Sequence, residues 1–338
     1  MFINLISDTV TKPTPQMLDA MIKAEVGDDV FGEDPTINKL QAYAANLFNK
    51  EAALFCPSGT MTNQIAIKVH TQPLDELIAD HYSHVYQYET AGYAFNSGVG
   101  VNLIQGHYGK ITVAQLEAAI KPLYDWLPKS KLVVLENSTN KGGGNYYNLK
   151  ELQSIKQFCD KQQLKLHLDG ARLFNVLVET GEKTEQIGDQ FDSVSICLSK
   201  GLGAPVGSLL IGDKAFIQEA RRFRKVMGGG MRQAGYLAAA GLYALKNNIT
   251  RLKEDNDVAK EIGLYLASHR LVEQVLPVKT NILIFRLKDL LATEFVEMMK
   301  QNAISCSAFG EREVRFVTHL DFTTEMKTRL YEVLEEMN

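Results

Sequence analysis

Between residues 52 and 211 short apolar runs alternate with helical stretches, and that alternation narrows the possible folds more than any other feature. The runs at 52–56, 76–80, 101–105, 131–136, 164–168 and 193–197 read as strands, each apolar and bounded by turn residues. The stretches at 61–69, from 113 onward and at 149–161 read as helices. Strands that alternate with helices form parallel βαβ units, and such sheets hold ligands at the carboxyl ends of their strands. Thr60, His84, Asn137, Asp169 and Lys200 each fall just after a strand-like run, so one sheet edge is expected to carry all five.

Lys200 is the most constrained of these. Gly201, Gly203, Pro205 and Gly207 follow it, so no helix continues there and the lysine stands on a tight loop. Glycines let a flat cofactor approach the backbone. A lysine becomes a nucleophile when burial or neighbouring cations depress its pKa, although a solvated lysine after a strand is the plainer alternative. Gly59 and Thr60 open a helix, where free N–H groups and the dipole favour an anion, or where the hydroxyl simply caps. His84 is suited to stacking on a ring or moving a proton. Asp169-Gly170 is a turn pair in its simplest reading, with His167 and Arg172 beside it. Arg315 lies in a strand-like run, facing either a cleft between domains or solvent.

With 338 residues the chain can hold a large and a smaller domain, and a net charge of −4 argues against a dedicated nucleic-acid or membrane-surface binder. Cys56, Cys159, Cys197 and Cys306 lie far apart with no Cys-x-x-Cys pair, so neither a disulfide framework nor a metal cluster is indicated. The first residues lack the basic and apolar segments of a signal peptide and no run approaches a membrane span, so a cytoplasmic protein is expected. A domain boundary near Leu245 divides the chain into 1–245 and 246–338. One long helical region is expected over 233–271, and a smaller α/β domain after it, with strands at 281–286 and 313–317. Gly142, Gly143 and Gly144 read as a flexible connection, and Arg221, Arg222, Arg224 and Lys225 as a solvated face. In the acidic loop 27–35, Asp34 and Pro35 open a helix, which leaves Asp28, Asp29 and Phe31 without a role inside one subunit.

Eight segments together resemble the low-specificity threonine aldolases: SDTVTKP (7–13), GDDVFGEDPT (27–36), PSGTMTN (57–63), LHLDGARLFN (166–175), SICLSKGLGAPVGSLL (195–210), GGGMRQ (228–233), ALKNN (244–248) and VRFVTHLD (314–321). That family uses pyridoxal 5'-phosphate and has the aspartate-aminotransferase-like fold (fold type I). The resemblance implies an α/β chain, a large cofactor-binding domain with a mainly parallel sheet, and a smaller C-terminal α/β domain. Lys200 then looks like the lysine that binds the cofactor covalently, and Asp169 would face its pyridine nitrogen. Gly59 and Thr60 would hold the phosphate, helped by Arg232 from a neighbouring subunit. His84 would stack on the ring, and either His84 or a water it holds would be the base. Ser7, Arg172 and Arg315 would take the substrate carboxylate, a task suited to a guanidinium fork. The implied reaction is cleavage of β-hydroxy-α-amino acids, L-threonine and L-allo-threonine among them, to glycine and an aldehyde. The implied assembly is a homotetramer built from two dimers.

Three positions depart from the family pattern and bear on substrate range and β-carbon stereochemistry. Ser138-Thr139 stands where many relatives have a histidine after Glu-Asn-Thr, Trp126 aligns with a bacterial active-site histidine, and Phe31 replaces a tyrosine. A β-eliminating lyase or an aminotransferase on the same fold is the alternative reading. A non-catalytic pyridoxal or nucleotide binder is the remote one.

Overall fold

Six strands of the central sheet run parallel and one runs against them. The order across the sheet is Ala52–Cys56, Ser208–Gly212, Ser193–Cys197, Lys165–Gly170, Lys129–Glu136, Asp75–Asp80 and Gly100–Ile104. The computed structural model describes residues 1–337. Alternate residues of one strand serve different cores: Val133 and Leu135 pack into one apolar cluster, Leu132 and Val134 into another. Burial on both faces is what a parallel sheet covered by helices requires. The mainly parallel α/β architecture expected from the alternation is the one the chain adopts.

The single reversed strand, Ser208–Gly212, follows from the loop that carries Lys200. Gly203 N–H donates to Lys200 O at 2.8 Å, Ala204 N–H to Leu198 O at 3.0 Å and Leu198 N–H to Gly207 O at 2.9 Å, closing a tight turn. Gly207 has φ +116°, and a Cβ there would stand 2.5 Å from Phe55 Cε2, so only glycine fits. The turn leaves Lys200 at the carboxyl end of Ser193–Cys197, level with the ends of the neighbouring strands.

A second, antiparallel sheet orders Ser307–Ala308, Glu313–Val317, Ile282–Leu287 and Val272–Val275. Phe285, Phe295 and Phe316 meet edge to face in its core, with ring centroids 5.1 and 5.7 Å apart. Ile3–Asn4 pairs in parallel with Ile304–Ser305, so Ile3 and Leu5 join the C-terminal core. Among the described residues, no helix is long and apolar enough to cross a membrane.

Four expectations are corrected. The helical region over 233–271 is two helices, Gly235–Asn247 and Leu252–Ala267. Its break is fastened to the lysine loop: Asn248 Nδ2 donates to Leu202 O at 2.8 Å, and Arg251 Nη1 to Gly201 O at 3.3 Å. The basic run is not a solvated face, because Arg224 is buried, with Nη1 donating to Phe55 O at 2.7 Å and Nη2 to Asp29 Oδ2 at 2.5 Å. Asp29 is thereby used within the chain, and so is Asp28, which accepts from Val30 N–H at 2.8 Å and from Arg232 Nη1 at 2.8 Å. Finally, Gly142, Gly143 and Gly144 are buried in a close-packed loop. A Cβ on Gly142 would stand 2.0 Å from Tyr108 O, and one on Gly144 2.2 Å from Thr280 Oγ1. Those glycines serve close approach of the backbone.

Candidate active site

The carboxyl ends of the parallel strands open on a cleft of about 420 Å³ whose walls include Ser7, His84, Arg172, Lys200 and Arg315. Each arrives by a different route. His84 begins a short helical turn after Asp75–Asp80, Arg172 precedes the helix Leu173–Thr180, and Arg315 sits inside Glu313–Val317 of the second sheet. Ser7 belongs to the N-terminal segment, which Thr11 ties to the lysine loop by donating from Oγ1 to Lys200 O at 3.0 Å.

Asp169 is joined to this wall through buried polar contacts. Asn63 Nδ2 donates to Asp169 Oδ2 at 2.8 Å and to Glu89 Oε1 at 2.8 Å, and His84 Nδ1 lies 2.9 Å from the same Glu89 oxygen. Asn63 comes one turn after Gly59 and Thr60 on the helix Gly59–His70, so the helix whose N-terminus could take an anion also anchors Asp169. Ligating atoms of His84, Glu89 and Asp169 lie within 4.8 Å of one another, the kind of group that could hold a cation, and the Asn63 amide already serves both carboxylates.

The N-terminus of that helix has a second feature of interest. Ser208 Oγ is buried without a hydrogen-bond partner among the described residues and lies 3.5 Å from where a Gly59 Cβ would stand. An unpartnered buried hydroxyl beside free helical N–H groups fits an oxyanion ligand.

Two arginines in the cleft have opposite circumstances. Arg172 is buried and its fork is taken by Asp8, with Nε donating at 2.8 Å and Nη2 at 2.7 Å. Burial alone would raise the Asp8 carboxyl, but Arg172 and Lys200 outweigh it and hold it at about 2. Arg315 donates from Nη1 to Asn140 Oδ1 at 2.8 Å and from Nη2 to Ile6 O at 2.9 Å, and Nε has no partner. Burial and then the charge of Arg172 pull Arg315 down to about 10. Among the described residues it has no carboxylate partner. A half-buried guanidinium without a counter-ion is costly unless a ligand brings the negative charge.

Burial by itself would lower the pKa of His84, yet it is raised, because the hydrogen bond to Glu89 and the charges of Asp169, Glu89 and Glu136 outweigh burial. Glu136, opposite Asp169 in strand register, is pushed up to about 7 by burial and by the Asp169 charge. Its oxygens accept from His84 N–H at 3.0 Å and Asn140 N–H at 2.8 Å.

The cleft therefore gathers Ser7, His84, Arg172, Lys200 and Arg315, with Asp169, Gly59 and Thr60 connected through one helix. Arg232 is elsewhere, exposed and paired with Asp28 at 2.8 Å. Asn63, Glu89, Glu136 and Asn140 were not singled out for the site by sequence. Asn63 alone carried a usable signal, standing one helical turn beyond Gly59.

A family model described as beta-eliminating lyase matches residues 4–289. The low specificity L-threonine aldolase of Escherichia coli (strain K12) is 43% identical over 324 residues, covering 96% of this chain and 95% of that protein. Low-specificity L-threonine aldolase 1 of Arabidopsis thaliana is 37% identical over 330 residues, covering 95% and 92%. Among solved structures, the threonine aldolase of Leishmania major shares the fold, with a TM-score of 0.84 over 99% of both chains at 24% identity.

Proposed function

The chain belongs to the beta-eliminating lyase family, and from that premise we propose that it is a pyridoxal 5'-phosphate-dependent aldolase. It cleaves L-threonine, L-allo-threonine and related β-hydroxy-α-amino acids to glycine and an aldehyde. The observation that carries this reading is the Arg315 guanidinium, without a carboxylate partner among the described residues, in the same cleft as Lys200 and His84. The donor set fits the cofactor. Lys200 supplies the amine that holds it covalently, Asp169 the carboxylate for its pyridine nitrogen, and Gly59 and Thr60, with Ser208 Oγ beside them, the phosphate site. Bound there, the cofactor supplies the electron sink that stabilises the charge left on the substrate Cα.

The protein's own groups decide which bond breaks. Arg315 takes the substrate carboxylate, with Ser7 beside it and Arg172, whose Nε and Nη2 are held by Asp8, offering its remaining Nη1, so that Cα–Cβ is the bond presented for cleavage. Glu89 fixes the His84 tautomer. Both Glu89 oxygens accept amide hydrogens, from Asn63 at 2.8 Å and from Gln64 at 2.6 Å, so the His84 Nδ1 hydrogen also donates to it. Nε2 of neutral His84 is then the atom that receives the β-hydroxyl proton, directly or through a water. The active unit is a cytoplasmic homotetramer, a dimer of dimers in which Arg232 serves a neighbour's phosphate site. A large domain (1–245) and a small one (246–338) meet at the cleft.

The β-eliminating alternative shares every cofactor contact and differs in products. Borohydride reduction of the cofactor-loaded protein, followed by peptide mapping, is expected to label Lys200 alone, and Lys200→Ala to lose both label and turnover. A label on another lysine contradicts the assignment.

A further inference from the structure

We propose that Lys141 extends this cleft to β-hydroxy-α-amino acids that carry a carboxylate on the β-carbon. The proposal rests on the aldolase reading above and names a substrate class beyond the threonines. Lys141 follows Asn140, the residue that holds Arg315 Nη1 at 2.8 Å, and the close-packed Gly142–Gly144 turn fixes its backbone next to the cleft. Its ammonium lies 5.6 Å from the Tyr82 ring centre, 5.8 Å from that of Tyr88 and 5.8 Å from that of Phe309. Tyr88 and Phe309 both line the cleft. The Phe309 ring also lies 4.7 Å from the Arg315 guanidinium, so one side chain is neighbour to both cations.

Aromatic faces attract a cation but do not neutralise it. Among the described residues, no carboxylate pairs with Lys141. The nearby cleft carboxylates are already served: Glu136 by His84 N–H and Asn140 N–H, Glu89 by Asn63 and Gln64. Three rings shield the ammonium from part of its water, which strengthens its attraction for an arriving anion. Arg315 in the cleft wall and Lys141 beside that wall, both without carboxylate partners among the described residues, thus share the Phe309 ring as a neighbour. Arg315 suits the α-carboxylate, common to all substrates of the reaction. Lys141, on a flexible stem, suits a second carboxylate further along the substrate. An aryl β-substituent is the less suitable occupant, because the rings that would stack on it already face the ammonium.

The chemistry is that of the parent reaction. The β-hydroxyl loses its proton and becomes the aldehyde carbonyl as Cα–Cβ breaks. The electron pair stays on Cα and a proton is added there, so glycine and a 2-oxo acid bearing the aldehyde contain every atom of the substrate.

The test compares kcat/KM for 3-hydroxyaspartate, threonine and 3-phenylserine in the cofactor-loaded wild type, Lys141→Met and Lys141→Arg. The wild type is expected to cleave 3-hydroxyaspartate, and Lys141→Met to lower the hydroxyaspartate-to-threonine ratio by at least about tenfold, whereas Lys141→Arg retains most of it. A wild type that cleaves threonine but not 3-hydroxyaspartate overturns the proposal, as does a ratio that Lys141→Met leaves unmoved. A ratio lost for phenylserine instead identifies an aryl pocket and overturns it too. Cleavage of none of the three contradicts the aldolase reading itself.

Discussion

Glu89 accepts hydrogen bonds from three side chains, and His84 is one of them. Replacing its charge with an amide removes the strongest influence that raises His84, since burial alone acts the other way. The sign follows directly. A base acts when neutral, so activity rises with pH through the His84 pKa, and lowering that pKa moves the acid limb of the profile to lower pH. Glu89→Gln is expected to shift the limb of kcat/KM downward and to slow turnover roughly tenfold by loosening the imidazole. A limb that stays in place removes His84 from the proton transfer. The positions of Lys200, His84 and Asp169 were legible in the sequence because each lies at or within a few residues of the carboxyl end of a strand, where topology assigns it to the ligand edge. Glu89 and Glu136 were not: what matters about them is a contact with residues from other segments, and no local pattern encodes that.

At the scale of elements, two turns place the chemistry. The hairpin after Lys200 reverses Ser208–Gly212, and the glycine turn at 142–144 carries Asn140 to Arg315. Gly144 has φ +74° and no room for a methyl group, since a Cβ would stand 2.2 Å from Thr280 Oγ1. Gly144→Ala is expected to destabilise the protein by about 2 kcal/mol or more in urea unfolding and to raise KM for the amino acid through the displaced Asn140. A loss below ~0.5 kcal/mol shows that the turn yields. Strands were readable from their apolar runs, and the hairpin from its glycines and proline. The helix break at 248–251 was not, because it is fixed by hydrogen bonds to the distant loop at Gly201 and Leu202. The buried role of Arg224 escaped for the same reason: its partner, Asp29, is 195 residues away.

Across the whole molecule, Asp8 joins three parts of the chain, binding Arg172 at the central sheet and accepting from Asn281 Nδ2 of the second sheet's approach at 3.2 Å. Arg232 has a different standing, exposed and held by Asp28 with Phe31 nearby, the guanidinium 6.0 Å from the ring centre. In the tetrameric reading this surface faces a neighbour, and a site shared between subunits allows complementation. Mixing Lys200→Ala protein with Arg232→Ala protein under subunit exchange is expected to restore part of the activity, because some mixed assemblies contain intact sites. Proven exchange without recovery removes Arg232 from the neighbour's site. The central claim, Cα–Cβ cleavage in the Lys200 cleft, is tested most directly by product analysis. With L-threonine and pyridoxal phosphate, the wild type is expected to release glycine and acetaldehyde in equal amounts, whereas release of 2-oxobutyrate and ammonia in their place contradicts it.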